Sequence, residues 1–535
     1  MFKFFYLKYQ KKLTILFFSI FFVFGILAVK DYGVSSDEYS SRIKGFVTLK
    51  YLGELVSTDY TQKIQKNKNI PRLENYSLKI YGVAFEAPAS LLEVVFGIKD
   101  KKNQFLSRHY LNFLVFFISV IFFYKILKLR FNNLITPLLG SIILILSPRI
   151  FANSFYNNKD IVFLSLFIIS SYYAIKFIKD QNFKNLFFFS IFIALTIDIR
   201  ILAIFIPFLV FLINSLNNLV NKRFKKKFLL NLFSLFLVSI FIVFFWPYLW
   251  ENPINNFIFA FKEMANFKIE TYNLFFGEVI NAKNVPWYFI PMWIIITTPI
   301  LYLILFLAGA FLIFYNLSRG RIFQLEQNYY IDIFFISTLF VPLLAVIIFN
   351  STLYNGWRQM YFIYPSIIFV CMVCINFFLN LRFILIKKIF FLVLALYFLN
   401  TFTWIIKNHP YQYVYFNKLI NKDNIQNKFD LDYWGLSYKK NFEYILENDQ
   451  RDKIKIFNLS QNKLFYHLFS VEEKLRQRFI VIKNIKDIED ADYIVNNFFM
   501  GKINRNDNYL KNFEIVNEIL VDDYQINVLY KKVSF

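Results

Sequence analysis

An adjacent pair of acids, Asp37 and Glu38, lies in the stretch DYGVSSDEYSSRIKGF, which follows an apolar run over residues 13–29. The run is long enough to be a membrane helix, so the pair is expected within one or two helical turns of a bilayer surface. A carboxylate held there can act as a general base toward a hydroxyl or amine that arrives from water. The alternative is structural: Ser35, Ser36 or Asp37 caps the next helix, and Glu38 complements its dipole.

Four basic residues flank apolar runs on the same predicted side of the membrane, where Lys and Arg are normally scarce. They are Arg149 and Lys159 in SPRIFANSFYNNKD, Arg200 in IDIR, and Arg358 in YNGWRQMYF. Phosphate is a suitable partner, because Arg offers a planar fork of donors and Lys a compact charge. The alternative is local pairing, of Arg200 with Asp198 and of Lys159 with Asp160.

Aromatic residues cluster on that side as well, and sugars stack on such rings. The clusters contain Trp250 in WPYLWENP, Trp357 and Tyr361 in GWRQMYFIYP, and His409 in HPYQYVYFN. The alternative for the rings is the belt of Trp and Tyr found at bilayer interfaces, and for His409 it is a structural hydrogen bond. The clusters are therefore compatible with a carbohydrate site without proving one.

The composition predicts a polytopic membrane protein. Of 535 residues, 57% are hydrophobic and 21% aromatic, and the mean hydropathy is +0.44, which is too apolar for a water-soluble globule. The 60 Lys and Arg against 36 Asp and Glu lie in short segments between apolar runs, which indicates the positive-inside pattern and no nucleic-acid partner. Cys371 and Cys374 share one apolar run, so no disulfide framework or metal-binding cysteine site is expected.

About eleven transmembrane helices are predicted from the apolar windows. They lie near residues 13–29, 110–127, 133–148, 161–178, 184–198, 199–216, 228–249, 287–315, 331–349, 360–379 and 385–404. Basic residues fall on alternate connections, which places the N-terminus inside and the long loop 30–109 outside. At Asp198 and Arg200 the pattern allows either two helices with a tight outer turn or one run with a buried Asp–Arg pair.

The outer segments are predicted to be structured. Ile43, Val47, Tyr51 and Leu55 recur every fourth residue, which is typical of a helix lying in the membrane interface, and a second such segment, YGVAFEAPASLLEVVFGI, is broken by Pro88. From about residue 405 the pattern becomes that of a small soluble α/β domain: a helix in DYWGLSYKKNFEYILEN, strands in KIKIFNLS, QRFIVIKN and ADYIVNNFF, and a closing hairpin. The predicted domains are therefore 1–404 and 405–535.

This plan resembles the GT-C integral-membrane glycosyltransferases, specifically the family 39 group that includes protein O-mannosyltransferases and lipid A aminoarabinose transferases. The shared features are an acid pair in the first outer loop, interfacial helices behind it, about eleven spans and an outer C-terminal domain. The stretches YGVAFEAPASL, LSPRIFANSFYNNKDI, DIRILAI, WPYLWENP, PWYFIPMWIIITTP, LYNGWRQMYFIYP, HPYQYVYFN and DLDYWGLSY resemble a bacterial branch whose substrates are generally unassigned.

The resemblance implies a GT-C fold and the transfer, with inversion, of a sugar from a polyprenyl-phosphate donor. It makes Asp37 the base that activates the acceptor, with Glu38 matching the second acid of the mannosyltransferases and Glu86 matching that of the aminoarabinose transferases. The lipid phosphate is expected to bind Arg149, Lys159, Arg200 and Arg358. Acceptor or sugar contacts are expected from Glu86, Trp250, Trp357, Tyr361 and His409. A divalent metal at Asp37 and Glu38 is conceivable, although no third ligand converges on them in the sequence.

The acceptor remains open between a glycan, a lipid and a protein, because no lectin-like domain like that of eukaryotic protein mannosyltransferases is present. A lipid-linked glycan polymerase or ligase would share the outer-face site. A flippase or transporter of lipid-linked sugars would place its charges deep within the spans, whereas this sequence keeps them at the outer ends. Abundant Lys, Asn, Ile and Phe suggest an AT-rich genome, and a bacterial inner membrane with a periplasmic C-terminus is predicted.

Overall fold

A computed structural model describes residues 2–56, 69–220, 224–265, 270–319, 329–500 and 507–533. The helices longer than eight residues are α1 (Phe2–Ala28), α2 (Glu38–Leu55), α3 (Glu86–Val95), α4 (Lys101–Phe131), α5 (Ile135–Ile145), α6 (Pro148–Tyr156), α7 (Asp160–Lys179), α8 (Phe183–Ile199), α9 (Phe205–Val220), α10 (Phe224–Phe245), α11 (Pro253–Ala265), α12 (Phe289–Thr297), α13 (Ile300–Ser318), α14 (Tyr329–Ile348), α15 (Tyr364–Leu379), α16 (Ile384–Lys407) and α17 (Tyr438–Asn448). The chain is mostly helical, as its composition predicts.

Most of the predicted membrane spans are present near their predicted positions. Within the described ranges, nine helical segments are long and apolar enough to cross a membrane, or ten if the bent pair α5 and α6, which meet at 70°, is one span. The span predicted at residues 184–198 corresponds to α8, an apolar helix of 17 residues, and its crossing of the membrane stays a prediction. Two details differ from the prediction, because residues 133–148 are not one straight span and residues 287–315 are divided between α12 and α13.

The central spans are α7 and the segment 358–379, each of which is 78% buried over its most apolar window. The peripheral helix α16 is only 17% buried there, which leaves its apolar surface for lipid. Close packing depends on small residues at the contacts. At Gly309 of α13, for example, an added Cβ would lie 2.0 Å from the carbonyl oxygen of Val370 in α15.

The first long loop contains the two predicted helices, α2 and α3. Pro88 does not break α3, which contradicts the prediction, because this residue lies in the first helical turn, where its missing N–H has no intrahelical partner to lose. The part of this loop at residues 57–68 lies outside the described residues. Helices α2, α3 and the start of α4 pack together at one end of the bundle, called here the site end.

The C-terminal region has the predicted α/β fold. Its strands are β3 (Ile454–Asn458), β4 (Phe479–Ile482), β5 (Tyr493–Asn496), β6 (Phe513–Val521) and β7 (Tyr524–Lys532). A separate two-stranded ribbon, β1 (Tyr272–Phe275) and β2 (Glu278–Asn281), lies earlier in the chain and is not predicted from the sequence. The five strands form one sheet in the order β4-β3-β5-β7-β6, parallel among β3, β4 and β5 and antiparallel at β7. Helix α17 packs on this sheet, whereas the hairpin residues Val521, Tyr524 and Ile526 join the core of the helical bundle. The domain is therefore docked on the bundle at the site end.

Candidate active site

Asp37 stands at the start of α2 with an accessible carboxylate. Its side chain is 49% exposed, and Oδ2 lies 3.5 Å from Nη1 of Arg358. It does not use this carboxylate as a helix cap, since no side-chain hydrogen bond caps the first turn of α2. The capping alternative is therefore wrong for the Asp37 side chain, which is left available for chemistry.

Asp160, the first residue of α7, is the buried counterpart of Asp37. Its side chain is 0% exposed, and Oδ2 accepts a hydrogen bond from Nη1 of Arg358 at 3.1 Å. Oδ1 accepts from Nη2 of Arg200, and Asn157 donates to Oδ2 at 3.2 Å. One nitrogen of Arg358 thus faces two carboxylates that are far apart in sequence.

The sequence did not identify Asp160 as part of the site; it was considered only as a local partner of Lys159. The available signal was the polar run Asn157–Asp160 directly before an apolar span on the predicted outer side. The expected pairing of Arg200 with Asp198 is also wrong, because Arg200 reaches across to Asp160 instead.

Glu38 is turned away from the site and fixes the chain beside Asp37. Oε1 accepts the backbone N–H of Ser35 at 2.6 Å, and Oε2 lies 2.9 Å from Nε2 of His109 in α4. Glu38 and His109 are both buried, so this carboxylate cannot meet a substrate without losing these bonds. The predicted catalytic role does not fit this geometry; Glu38 holds the turn that carries Asp37, and sequence reasoning did not identify His109.

Glu86 is likewise bound within the protein rather than presented to a ligand. It is buried in the first turn of α3, where Arg108 of α4 donates to Oε2 at 2.5 Å and Asn158 to Oε1 at 2.7 Å. Burial raises the pKa of the Glu86 carboxyl, and the charges of Arg108 and Lys44 oppose that shift. Its predicted contact with the acceptor is not supported; Glu86 ties α3 to α4 and to the loop before Asp160.

Asp198, at the end of α8, fixes the loop that leads into α3. Its Oδ1 accepts the backbone N–H of Ala84 at 2.6 Å. Gly82 is required for this approach, since a Cβ there would lie 1.8 Å from the carbonyl oxygen of Asp198. The same loop places Tyr81 against the site.

Lys159 contacts the ring of Tyr81, with Nζ 4.2 Å from the ring centroid, and Lys44 of α2 lies 5.9 Å from the same ring. Burial, together with the positive charges of Arg200 and Lys44, lowers the pKa of Lys159 to about 7. Asp160 is engaged by two arginines, so the expected Lys159–Asp160 pair does not form. Lys159 is a partly buried amine that lies over an aromatic ring.

The guanidinium of Arg358 lies between two rings, 4.9 Å from the centroid of Tyr354 and 4.7 Å from that of Trp434. Trp434 comes from the C-terminal region and covers the cluster. Three buried donors here, Nε of Arg358, Nε of Arg200 and Nε1 of Trp434, have no acceptor among the described residues. Buried donors without acceptors are costly and favour an acceptor supplied by a ligand.

Arg149 of α6 is a further buried cation. Its Nε donates to the carbonyl of Tyr415 at 3.0 Å, and its guanidinium carbon lies 4.9 Å from the ring centroid of Phe416. Tyr361 lies within electrostatic reach of Arg149 and of Tyr433, the neighbour of Trp434. Arg149 thus adjoins the residues around Arg358.

Three predicted aromatic contacts have structural roles instead. Trp357 is buried and donates its Nε1–H to Thr297 at 2.9 Å, and Trp250 donates to the carbonyl of Val243 at 2.8 Å. His409 Nε2 lies 2.9 Å from a carboxylate oxygen of Asp31. None of these partners belongs to the cluster around Arg358, so the assignment of these three residues to sugar or acceptor binding stays a prediction. The residue type alone does not distinguish an aromatic side chain that packs within the protein from one that contacts a ligand.

The residues of the site do not fit a protein-held metal ion. In the part of the chain that the structure describes, no three His, Cys, Asp or Glu side chains converge on one point. The position between Asp37 and Asp160 is taken by Nη1 of Arg358, a cation that already pairs with both carboxylates. Glu38, the other expected ligand, is bound to His109.

Comparison with known proteins gives a family match and a similar fold. The family model for dolichyl-phosphate-mannose-protein mannosyltransferases matches residues 91–246, a segment that contains Arg149, Lys159, Asp160 and Arg200. Crystal structures of ArnT from Cupriavidus metallidurans are similar over almost the whole chain. The apo state has a TM-score of 0.50 at 10% identity, covering 97% of this chain and 98% of that chain. The state bound to undecaprenyl phosphate has a TM-score of 0.47 at 9% identity, covering 96% and 97%. No curated protein matches the sequence.

These findings define the class of protein: a multi-pass membrane protein with a GT-C fold and a small C-terminal sheet domain. The resemblance to the GT-C, family 39-like glycosyltransferases is thereby confirmed, on the family model for its central segment and on the shared fold for the whole chain.

Proposed function

We propose that this chain transfers a sugar from a polyprenyl-phosphate donor to an acceptor bound at the site end. One observation carries the proposal: a single guanidinium nitrogen of Arg358 faces an accessible carboxylate, Asp37, and a fully buried one, Asp160. This places a candidate base beside the buried Arg358 and the partly buried Arg200 and Lys159. The family model supports a lipid-phosphate donor, since its description names a dolichyl-phosphate sugar.

The balance of charge supports an anionic ligand. Arg200 and Arg358 balance Asp37 and Asp160, and Lys159, whose pKa is about 7, adds an excess positive charge when it is protonated. The buried arginine Nε donors that lack acceptors are suited to the oxygens of a phosphate group. Binding of one lipid phosphate would satisfy these donors and offset the excess positive charge.

The reaction that fits this arrangement is a single displacement with inversion. Asp37 accepts the proton of the acceptor hydroxyl or amine as the acceptor atom bonds to the anomeric carbon from the face opposite the phosphate. The bond between that carbon and the phosphate oxygen breaks at the same time, and its electron pair leaves with the phosphate. Arg358, Arg200 and Lys159 stabilise the charge that grows on the leaving phosphate, more strongly in the transition state than before it.

Asp160 has a supporting role in this scheme. Because its carboxylate is inaccessible and bound by two arginines, it holds Arg200 and Arg358 in place rather than exchanging protons with a substrate. A buried ion network of this kind fixes geometry more than it adds stability.

The distribution of charge supports an assignment of the membrane side. Helix α4 runs from the site end to a basic terminus with Lys128 and Arg130, and α7 runs in the same sense to Lys176 and Lys179. The positive-inside rule puts these basic ends in the cytoplasm. The site end and the C-terminal domain are accordingly proposed to face the periplasm of a bacterial inner membrane.

The test is the transfer of radiolabelled sugar from a panel of polyprenyl-phosphate sugars to endogenous acceptors in membranes that contain the wild-type chain or Asp37→Asn. Wild type is expected to move label into an extractable lipid, glycan or protein fraction, and Asp37→Asn to reduce that transfer by at least about a thousandfold. The matched control is Asp31→Asn, a half-exposed acid at the same end that pairs with His409, which should transfer normally.

Equal transfer by wild type and Asp37→Asn would remove Asp37 from the mechanism. Absence of transfer from every donor tried would contradict the proposed function, and flipping of lipid-linked sugars would then be tested on the same membranes.

A further inference from the structure

The loop that carries Asp37 is held by the C-terminal domain as well as by the bundle. The backbone N–H of Ser36 donates to the carbonyl of Trp434 at 3.1 Å, and the Ser36 hydroxyl lies 3.3 Å from the same carbonyl. Gly33 packs so closely that an added Cβ would lie 2.6 Å from the carbonyl oxygen of Leu436. His467 of the domain contacts the carbonyl of Val34 through Nδ1 at 2.8 Å.

Trp434, whose carbonyl binds Ser36, also contacts Arg358. The ring of Trp434 lies 4.7 Å from the guanidinium carbon of Arg358, and its indole is buried. Trp434 therefore contacts Arg358 directly and Asp37 through its neighbour: its carbonyl accepts from Ser36, and its ring lies over Arg358.

Trp434 is itself fixed by a tight turn. Asp432 is buried and accepts hydrogen bonds from the backbone N–H groups of Leu436, at 3.0 Å, and Ser437, at 3.1 Å. Gly435 adopts φ +71°, a conformation that other residues rarely take, and this turns the chain back toward α17. The stretch DLDYWGLSY thus forms a tight turn that holds the indole of Trp434 in place. This turn is called here the platform.

We propose that Trp434 is a positioning residue of the active centre, so that the C-terminal domain sets the distance between Asp37 and Arg358. This inference rests on the proposed function and deepens it. The domain acts through a backbone carbonyl and an aromatic face, and it contributes no group that exchanges a proton or forms a covalent bond with substrate. Small displacements of a catalytic pair can lower a rate a hundredfold, which is why such a platform matters.

The kinetic test compares Trp434→Leu and Trp434→Phe in the purified full-length protein, in the transfer assay with the donor that the wild type uses. Trp434→Leu removes the aromatic face and is expected to lower kcat about ten- to a hundredfold while donor KM stays within about threefold of wild type. Trp434→Phe keeps an aromatic face and should restore kcat to within about threefold. The matched control, Trp287→Leu, changes a tryptophan that is 69% exposed and should not alter kcat.

These readouts separate positioning from a general effect on folding, since rates are taken per folded protein after size-exclusion chromatography. A Leu variant with wild-type kcat would overturn the proposal. A Phe variant as impaired as the Leu variant would also overturn it, because the indole N–H rather than the aromatic face would then be required.

A second measurement does not depend on transfer activity. Ser36→Cys and Asn462→Cys replace two side chains whose polar atoms lie 3.3 Å apart across the contact between loop and domain. Mild oxidation is expected to join them in most molecules, and the single Cys variants serve as controls. Failure of this pair to form a disulfide would overturn the proposal even in a protein with no measured activity. Disulfide formation without transfer from any donor would leave the platform intact and contradict only the proposed function.

Discussion

At the scale of single residues, exposure assigns different roles to the two acids that share Arg358. Asp37 is 49% exposed and can be reached by an acceptor, whereas Asp160 is 0% exposed and fully engaged. Sequence could predict Asp37, because an acid pair beside a membrane helix is visible locally. It could not predict Asp160, whose partner Arg358 lies 198 positions away and is brought near only by the packing of two central spans.

Arg358→Lys tests whether this shared guanidinium is needed. Lys keeps the charge but lacks the planar guanidinium, which packs against two rings while its Nη1 faces two carboxylates. We expect transfer to fall at least about tenfold, with higher KM for the donor, in a steady-state assay on purified protein. Arg382→Lys, an exposed substitution elsewhere in the chain, is the control, and equal activity of both variants would assign Arg358 to structure alone.

At the scale of elements, a buried ion network joins α2, α3 and α4 beneath the site. Arg42 of α2 and Arg108 of α4 both bind Glu93 of α3, at 2.8 Å and 2.7 Å, and Arg108 also binds Glu86. The apolar repeat in α2 predicted the helix correctly, and its position in the membrane interface stays a prediction. The repeat could not reveal that α2 also buries Arg42 and Lys44, since buried charges depend on partners from other helices.

Arg108→Met should destabilise this end of the bundle. It leaves Glu86 and Glu93 without their shared cation, and loss of one partner from a buried ion pair typically costs about 3–5 kcal/mol. We expect a free energy of unfolding lower by about that amount in detergent titrations, or a failure to accumulate folded protein. Arg72→Met removes an exposed pair with Glu54 at 3.9 Å and should change stability by less than about 0.5 kcal/mol. Similar stability of the two variants would contradict a structural role for the network.

At the scale of the whole molecule, the C-terminal domain and the membrane bundle form one structure around the site. The order of strands and helices in the domain follows from their apolar patterns and was predicted from sequence. Its docking was not, because the contacts are made by isolated residues such as Trp434, His467 and Tyr524, which have no periodicity. Apolar patterns therefore predict the individual helices and strands of this protein better than they predict how these elements pack together.

His467 makes this docking dependent on pH. Burial lowers the pKa of His467 to about 4 from an ordinary 6.5, so the unfolded chain takes up a proton more readily than the folded one. Stability should therefore fall as the pH drops from about 6.5 to about 4, by about 3 kcal/mol from this residue. The variant His467→Gln has no group that titrates at this position, so its unfolding free energy should not fall for this reason. The stability difference between wild type and variant should therefore become smaller as the pH drops through that range. A difference that is constant with pH would contradict this assignment.

The most direct test of the mechanism separates donor binding from chemistry in Asp37→Asn. Single-turnover transfer is measured with saturating donor and acceptor, and donor affinity is measured on the same purified protein. Asp37 is proposed to act on the acceptor while the cations hold the lipid phosphate. We therefore predict a rate at least about a thousandfold below wild type with donor Kd within about threefold. A normal rate, or a loss of rate fully explained by weaker donor binding, would contradict the division of roles between Asp37 and the cations around Arg358.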